Sequence, residues 1–162
     1  SARVFRTHLV PPLDGAPTHD LAMLIRTGSQ DAAGTVSQHQ QIVDLGGRDI
    51  LVGDNAARFG HTESDRNAVF LFNHFTVAGD DDPVQAWLSL TRWYASKIGV
   101  DNSTALSATG AQQFPLVNYV RLPTSPAAFL LNQILRPSFH RVVRGTLKRN
   151  GMRAFPGFYR MM

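Results

Sequence analysis

The stretch Val69–Val77, VFLFNHFTV, decides the fold. It is a run of β-branched and aromatic residues broken by one Asn and one His. A period of two puts Val69, Leu71, Asn73, Phe75 and Val77 on one face of a strand, and Phe70, Phe72, His74 and Thr76 on the other. A buried Asn without a hydrogen-bond partner costs about 1–3 kcal/mol. Asn73 is therefore either tied into backbone structure or aimed at a ligand.

Outward from this strand the pattern alternates. Gly79-Asp80-Asp81-Asp82-Pro83 forms an acidic turn, in which Asp82 is placed to cap a helix whose first residue is Pro83. The helix is predicted over 83–98 and stops at Gly99. Trp87, Leu90, Thr91, Tyr94 and Ile98 share one stripe at helical spacing. Trp93 falls off that stripe and is expected to be partly exposed or at a subunit contact. Thr104–Ala108, a turn at Gly110 and a strand over 114–122 follow. Ser125-Pro126 opens a second helix, AAFLLNQIL, interrupted at Pro137 and resumed in FHRVVRGTLK to about 149. Gly151 precedes MRAFPGFYRM, read as a last strand over about 154–161. The order β-α-β-β-α-β is that of a ferredoxin-like α+β unit. Its three strands 69–77, 114–122 and 154–161 are expected in one antiparallel sheet, with both helices on one face. The opposite face would present Phe70 and Phe72, a large apolar patch for a monomer. A homodimer joined sheet to sheet is expected, unless the preceding residues cover that face.

Residues 1–66 read as a β-rich N-terminal extension, and 67–162 as the ferredoxin-like domain. Ala2–Val10 is a strand, PPLDGAPTHD a loop, Leu21–Thr27 a short strand and SQDAAG a turn. QQIVDL-GG-RDILV gives a hairpin signal, with Gly46-Gly47 as its turn. NAARFGHTESDRN is a polar connector. Such a segment would lengthen the sheet or cover an edge.

At 162 residues and 43% hydrophobic content the chain has material for one core, with or without an extension. It has no cysteine, which excludes disulfides, thiolate zinc sites, iron–sulfur clusters and cysteine nucleophiles. No run approaches the ~18–20 apolar residues of a membrane span. The segment SARVFRTHLVPPLDG lacks the apolar core of a secretion signal, and the absence of cysteine points to a cytoplasmic location as the expectation. Net charge is +4, and Arg136, Arg141, Arg144, Lys148, Arg149, Arg153 and Arg160 gather late. These form a solvated helix face or attract an anionic partner, such as a phenolate or an acidic carrier protein. No aromatic–basic interleaving or helix-turn-helix pattern accompanies them, so nucleic acid is not an expected partner. The six histidines show no metal-ligand spacing, and His61-Thr-Glu63-Ser-Asp65 reads as a polar loop. Nucleophile-elbow, P-loop and dinucleotide motifs are missing. No cofactor is expected, and redox chemistry would rest on the substrate itself or on a bound heme.

Residues of about 67–162 resemble the antibiotic biosynthesis monooxygenase family of dimeric α+β barrels. The resemblance lies in NHFTV, the acidic turn with its Trp-containing helix, LVNYVRLPTSPAAF and the closing FPGFYRM. It implies a homodimeric, cofactor-independent oxygenase that oxidises a polycyclic phenol or anthrone with molecular oxygen, often in polyketide pathways. A related branch binds and degrades heme. Asn73 resembles the family's pocket Asn, which donates to a substrate carbonyl or oxyanion. Phe75 shares its face. Trp87 or Trp93, with Tyr94, would stack on the substrate ring, or simply pack helix against sheet. His74 and His140 are the available bases. His74 alternates away from Asn73 and is expected in or near the dimer barrel. His140 lies on the second helix, as a heme-ligating His does in the related branch, in a shifted register. Arg121 is a candidate anion partner, and Pro123 stands where many relatives close the third strand with Trp. A polyketide cyclase working by acid–base chemistry and a non-catalytic binding module are the alternatives.

Overall fold

A computed structural model describes residues 1–36, 38–79 and 81–162. Its strands are β1 (Ala2–Leu9), β2 (Leu21–Ile25), β3 (Gly53–Phe59), β4 (Val69–Val77), β5 (Ser103–Ala108), β6 (Leu116–Arg121) and β7 (Met152–Met161). They form one antiparallel sheet in the order β2-β1-β7-β4-β6-β5-β3, so the fold is α+β with a seven-stranded sheet. The apolar alternation of VFLFNHFTV takes the centre: β4 pairs with β6 on one side and along its whole length with β7 on the other. Strands from the first 66 residues extend this sheet at both ends, β1 and β2 beyond β7 and β3 beyond β5.

The helices are α1 (Gln30–Val36), α2 (Gln40–Asp44), α3 (Pro83–Ile98), α4 (Pro126–Ile134) and α5 (Gly145–Arg149). The caps read from the sequence are present. Asp82 Oδ1 accepts from the Val84 amide at 2.9 Å, Pro83 opens α3, and Gly99 closes it at φ +79°. Asp80, in the same acidic turn, lies outside the described residues. Ser125 Oγ accepts from the Ala128 amide at 3.3 Å, and Pro126 opens α4. The predicted second helix is divided further than expected. α4 ends before Pro137, which has no N–H to continue it. The chain then resumes as a π-helical turn, Phe139–Arg144, followed by α5.

Period two sorts the two faces of the sheet as the sequence implied. Val69, Leu71 and Phe75 of β4 pack toward the helices, with Leu90 and Trp93 of α3, Phe129 of α4 and Val143 of the π turn in the same layer. Phe70, Phe72, Tyr119, Phe155 and Tyr159 fill the other face together with Phe5 of β1. In a flat sheet β1 and β6 would stand three spacings apart, about 14 Å. The Phe5 and Tyr119 rings are nevertheless 5.8 Å apart, centre to centre. The sheet therefore curls, and its concave face closes on its own aromatic side chains.

This corrects the expectation of an exposed second face. Phe5 and Phe70 are wholly buried, and Ala16, Ala22, Leu24, Ile50 and Leu51 of the first 66 residues pack against the cluster. The patch on which sheet-to-sheet dimerisation was argued is covered by the chain itself. Three other sequence expectations change. SQDAAG belongs largely to α1 rather than a turn, and the QQIVDL segment forms α2 rather than a hairpin arm. Gly46 (φ +67°) and Gly47 direct their amides back to Val43 and Ile42, a helix end in place of a hairpin turn. The stretch taken as a polar connector contributes β3, an edge strand.

Candidate functional site

Between the helix-side face and the helices lies a cavity of about 140 Å³. Leu71, Asn73 and Phe75 of β4, Ser103 of β5, Asn118 and Val120 of β6, and Ala154 and Pro156 of β7 line the sheet side. Trp87, Leu90, Thr91 and Tyr94 of α3, Phe129, Leu130 and Gln133 of α4, and Val143 and Leu147 beyond it form the opposite wall. A closed apolar cavity of about 150 Å³ accommodates benzene. The space suits about one aromatic ring, less than a polycyclic guest occupies.

The floor carries the polar groups. Asn73 and Asn118 are direct cross-strand partners, so their Cβ atoms stand about 4.5–5.5 Å apart on one face. Asn73 Oδ1 is buried and has no hydrogen-bond partner among the described residues. Asn118 Oδ1 accepts a hydrogen bond from the Ser103 hydroxyl. On the far side of Asn73 is Pro156, which brings no N–H to the sheet. β1 pairs with β7 only as far as Phe158, so this proline breaks no ladder bond on that side.

The roof is latched. Tyr94 donates its hydroxyl to Gln133 Oε1 at 3.1 Å, joining α3 to α4. Burial pushes the Tyr94 phenol above its usual range, so it stays a neutral donor. Trp93 donates Nε1–H to Ser138 Oγ at 3.1 Å and packs against Phe139. This corrects the expectation of an exposed or interfacial Trp93: it is buried and ties α3 to the π turn.

The sequence-selected residues separate into two groups. Asn73, Phe75, Trp87 and Tyr94 meet in the cavity. His74, Arg121 and His140 do not line it. His74 is buried on the concave face, where Nδ1 lies 3.2 Å from the Phe155 carbonyl and its ring packs on Phe114. Burial lowers its pKa to about 4, which keeps it neutral at physiological pH. Arg121 is held by Asp101, with Nη2 2.9 and 3.2 Å from the two carboxylate oxygens. His140 is exposed on the π turn, with Nε2 donating to the Ile134 carbonyl at 2.8 Å and Nδ1 3.4 Å from Arg144 Nη1. Ser103, Asn118 and Gln133 belong to the cavity and were not singled out from sequence, and Thr91 was read only as part of the α3 stripe. Of these Asn118 had a signal, since it shares a strand face with Leu116 and Val120 exactly as Asn73 does with Leu71 and Phe75.

Among the described residues, no Asp, Glu, His, Lys or Arg lines this cavity. Its chemistry is that of neutral hydrogen bonding, aromatic packing and exclusion of water. Comparisons with protein-family models, with characterised proteins and with solved structures find nothing that matches the chain.

Proposed function

We propose that the chain is a cofactor-independent oxygenase acting on a hydroxylated aromatic substrate of the phenol or anthrone type. The observation that carries the proposal is the pair Asn73 and Asn118, two amide side chains set side by side in the floor of an otherwise largely apolar, aromatic-lined cavity. A buried polar atom left without a partner destabilises the fold, and such groups are kept where a ligand completes them. The reaction would take a ring CH₂, or a phenol with its para C–H, and O₂ to the corresponding quinonoid carbonyl and water. An electron-rich enolate or phenolate can give an electron to O₂ directly, so the protein's contribution is to hold the ring, favour the anion and keep water out. The amides on the floor supply donors for the developing oxyanion, and Trp87, Tyr94 and Phe75 supply the apolar walls.

The finer fold reading belongs with this proposal. The spatial order β7-β4-β6-β5, with α3 and α4 in the two crossovers, supports a ferredoxin-like unit. A sheet-to-sheet dimer is not part of it, because the concave face is filled from within. A cyclase working by general acid–base catalysis gains less support, since the cavity lining offers no group that titrates near neutral pH.

The test is oxygen uptake by purified protein with an anthrone or polycyclic phenol in the presence of a chelator. Turnover is expected, and Asn73→Ala should lower it by about 10²-fold, the scale of one oxyanion donor. Unchanged turnover in a folded Asn73→Ala protein would remove the site assignment. A cyclised product formed without oxygen would replace the oxygenase by the cyclase.

A further inference from the structure

We propose that the outer face of α4, with the π turn beside it, docks on an anionic lipid bilayer. α4 is apolar on two sides. Phe129, Leu130 and Gln133 face the cavity, while Leu131, Ile134 and its C-cap Leu135 stand 58, 51 and 76% exposed. Their spacing of i, i+3 and i+4 puts these three in one stripe. α4 contains no charged residue, and a helix apolar on both sides is ordinarily covered on both.

The surroundings of the stripe are basic. Arg136 donates Nε–H to Asn132 Oδ1 at 3.0 Å, which holds it against α4. His140 reaches the Ile134 carbonyl and Arg144 donates to His140, so both sit at the end of the stripe. Arg141 is exposed on the same turn. No Asp or Glu follows Asp101 in the sequence, and none lies in α3, so the charged side chains of the helical layer are all cationic. Charge and apolar surface together select the occupant. Three aliphatic side chains fall short of the about 800 Å² that each partner of a stable protein pair buries. A bilayer sets no such threshold: aliphatic side chains enter the acyl boundary one at a time, and arginines beside them meet anionic headgroups. The inner face of the same helix roofs the cavity, so docking sets that roof on the bilayer.

Cosedimentation of the full chain with vesicles tests the proposal, using phosphatidylcholine alone and equal parts phosphatidylcholine and phosphatidylglycerol. The chain should bind the mixed vesicles, with at least about tenfold weaker binding to phosphatidylcholine alone and a several-fold loss in high salt. Leu135→Ser should weaken binding about tenfold. Arg141→Gln should weaken it about fivefold, the scale of one arginine at an anionic surface. Both side chains are exposed, so the urea midpoint of either variant should stay that of the parent. Leu45→Ser, at the end of α2 and 73% exposed, should leave binding unchanged. Equal binding to both vesicle types, or none to the mixed vesicles, would overturn the proposal. So would undiminished binding by Leu135→Ser, which would mean adsorption by charge alone. An equal loss in Leu45→Ser would do the same, since contact would then have no defined face. A dimer in lipid-free solution that Leu135→Ser dissociates would give the stripe to a second copy and replace the bilayer. Binding of a purified acidic carrier protein that Leu135→Ser abolishes, without vesicle binding, would replace it by a protein.

Discussion

Replacing Asn73 by Leu should stabilise the protein while destroying its site. The side chain lies on the helix-side face, flanked along β4 by Leu71 and Phe75, in a largely apolar lining. Its Oδ1 makes no hydrogen bond among the described residues, so the substitution breaks none there. An unsatisfied buried polar atom costs about 1–3 kcal/mol, and Leu keeps the branched shape of Asn while placing its larger bulk into the adjoining cavity, adding apolar contact with the same walls. A gain of about 1–2 kcal/mol follows once part of the benefit is set against local repacking. In a chain of this size each kcal/mol corresponds to about 2–4 °C in Tm. Urea unfolding reads the effect directly: the midpoint should rise with the slope unchanged, since the surface exposed on unfolding is the same. A stabilised variant that no longer binds or turns over an aromatic ligand is the signature of a residue kept for function at the expense of the fold. A loss of about 1 kcal/mol or more would show that Asn73 is a satisfied structural residue, and the functional proposal would lose its main support.

His74 makes the fold sensitive to acid. Its folded pKa of about 4 lies below the ordinary value of 6.5, so its contribution is complete above pH 6.5 and is lost as pH falls toward 4. The loss amounts to about 3 kcal/mol; His74→Gln should flatten the profile of unfolding free energy against pH, and an unchanged acid slope would refute the assignment. Tyr94→Phe removes the bond to Gln133 and should cost about 1 kcal/mol, with faster amide hydrogen exchange confined to α4; uniform acceleration across the sheet would argue against a local latch. Gly151 has φ +57°, and a Cβ there would sit 2.5 Å from the Ala78 carbonyl oxygen. Gly151→Ala should therefore cost at least about 2 kcal/mol in thermal or urea unfolding, and near-neutral behaviour would mean that this turn relaxes freely.

The elements legible in the sequence are those whose local pattern and burial agree. β4 announces itself by unbroken alternation, and α3 by Asp82-Pro83 at one end and Gly99 at the other. The misread elements lack one of these signals. α1 and α2 bury no residue, so they carry no apolar stripe to detect. Gly46-Gly47 offered a positive φ, which a hairpin turn and a helix end both require. The cavity was half legible. Asn73 stood out because it interrupts an apolar run, but its pairing with Asn118 depends on the register of β4 against β6, which neither strand reveals alone. Trp93 and His140 were misplaced for a related reason. The π turn follows a wider hydrogen-bond spacing than 3.6 residues per turn, and it brings Ser138 and Phe139 to Trp93 while leaving His140 in solvent.

The pairing of β1 with β7 sets a timetable for folding. Phe5 is aligned with Met161, and Thr7 with Tyr159, so β1 meets its inner neighbour only after nearly all the intervening chain has been made. During synthesis β1 can close with β2 at once, since Ala2–Arg6 and Leu21–Ile25 are near in sequence. That early hairpin covers Phe5 only with small or aliphatic side chains of β2, Ala22 and Leu24, until β7 arrives and brings Phe70, Phe72 and Tyr119 within reach. The concave cluster is thus a late, long-range event, and long-range strand pairing is slow. Until it closes, a hairpin with a partly covered aromatic side chain and an open edge is the form most exposed to pairing with a neighbouring chain.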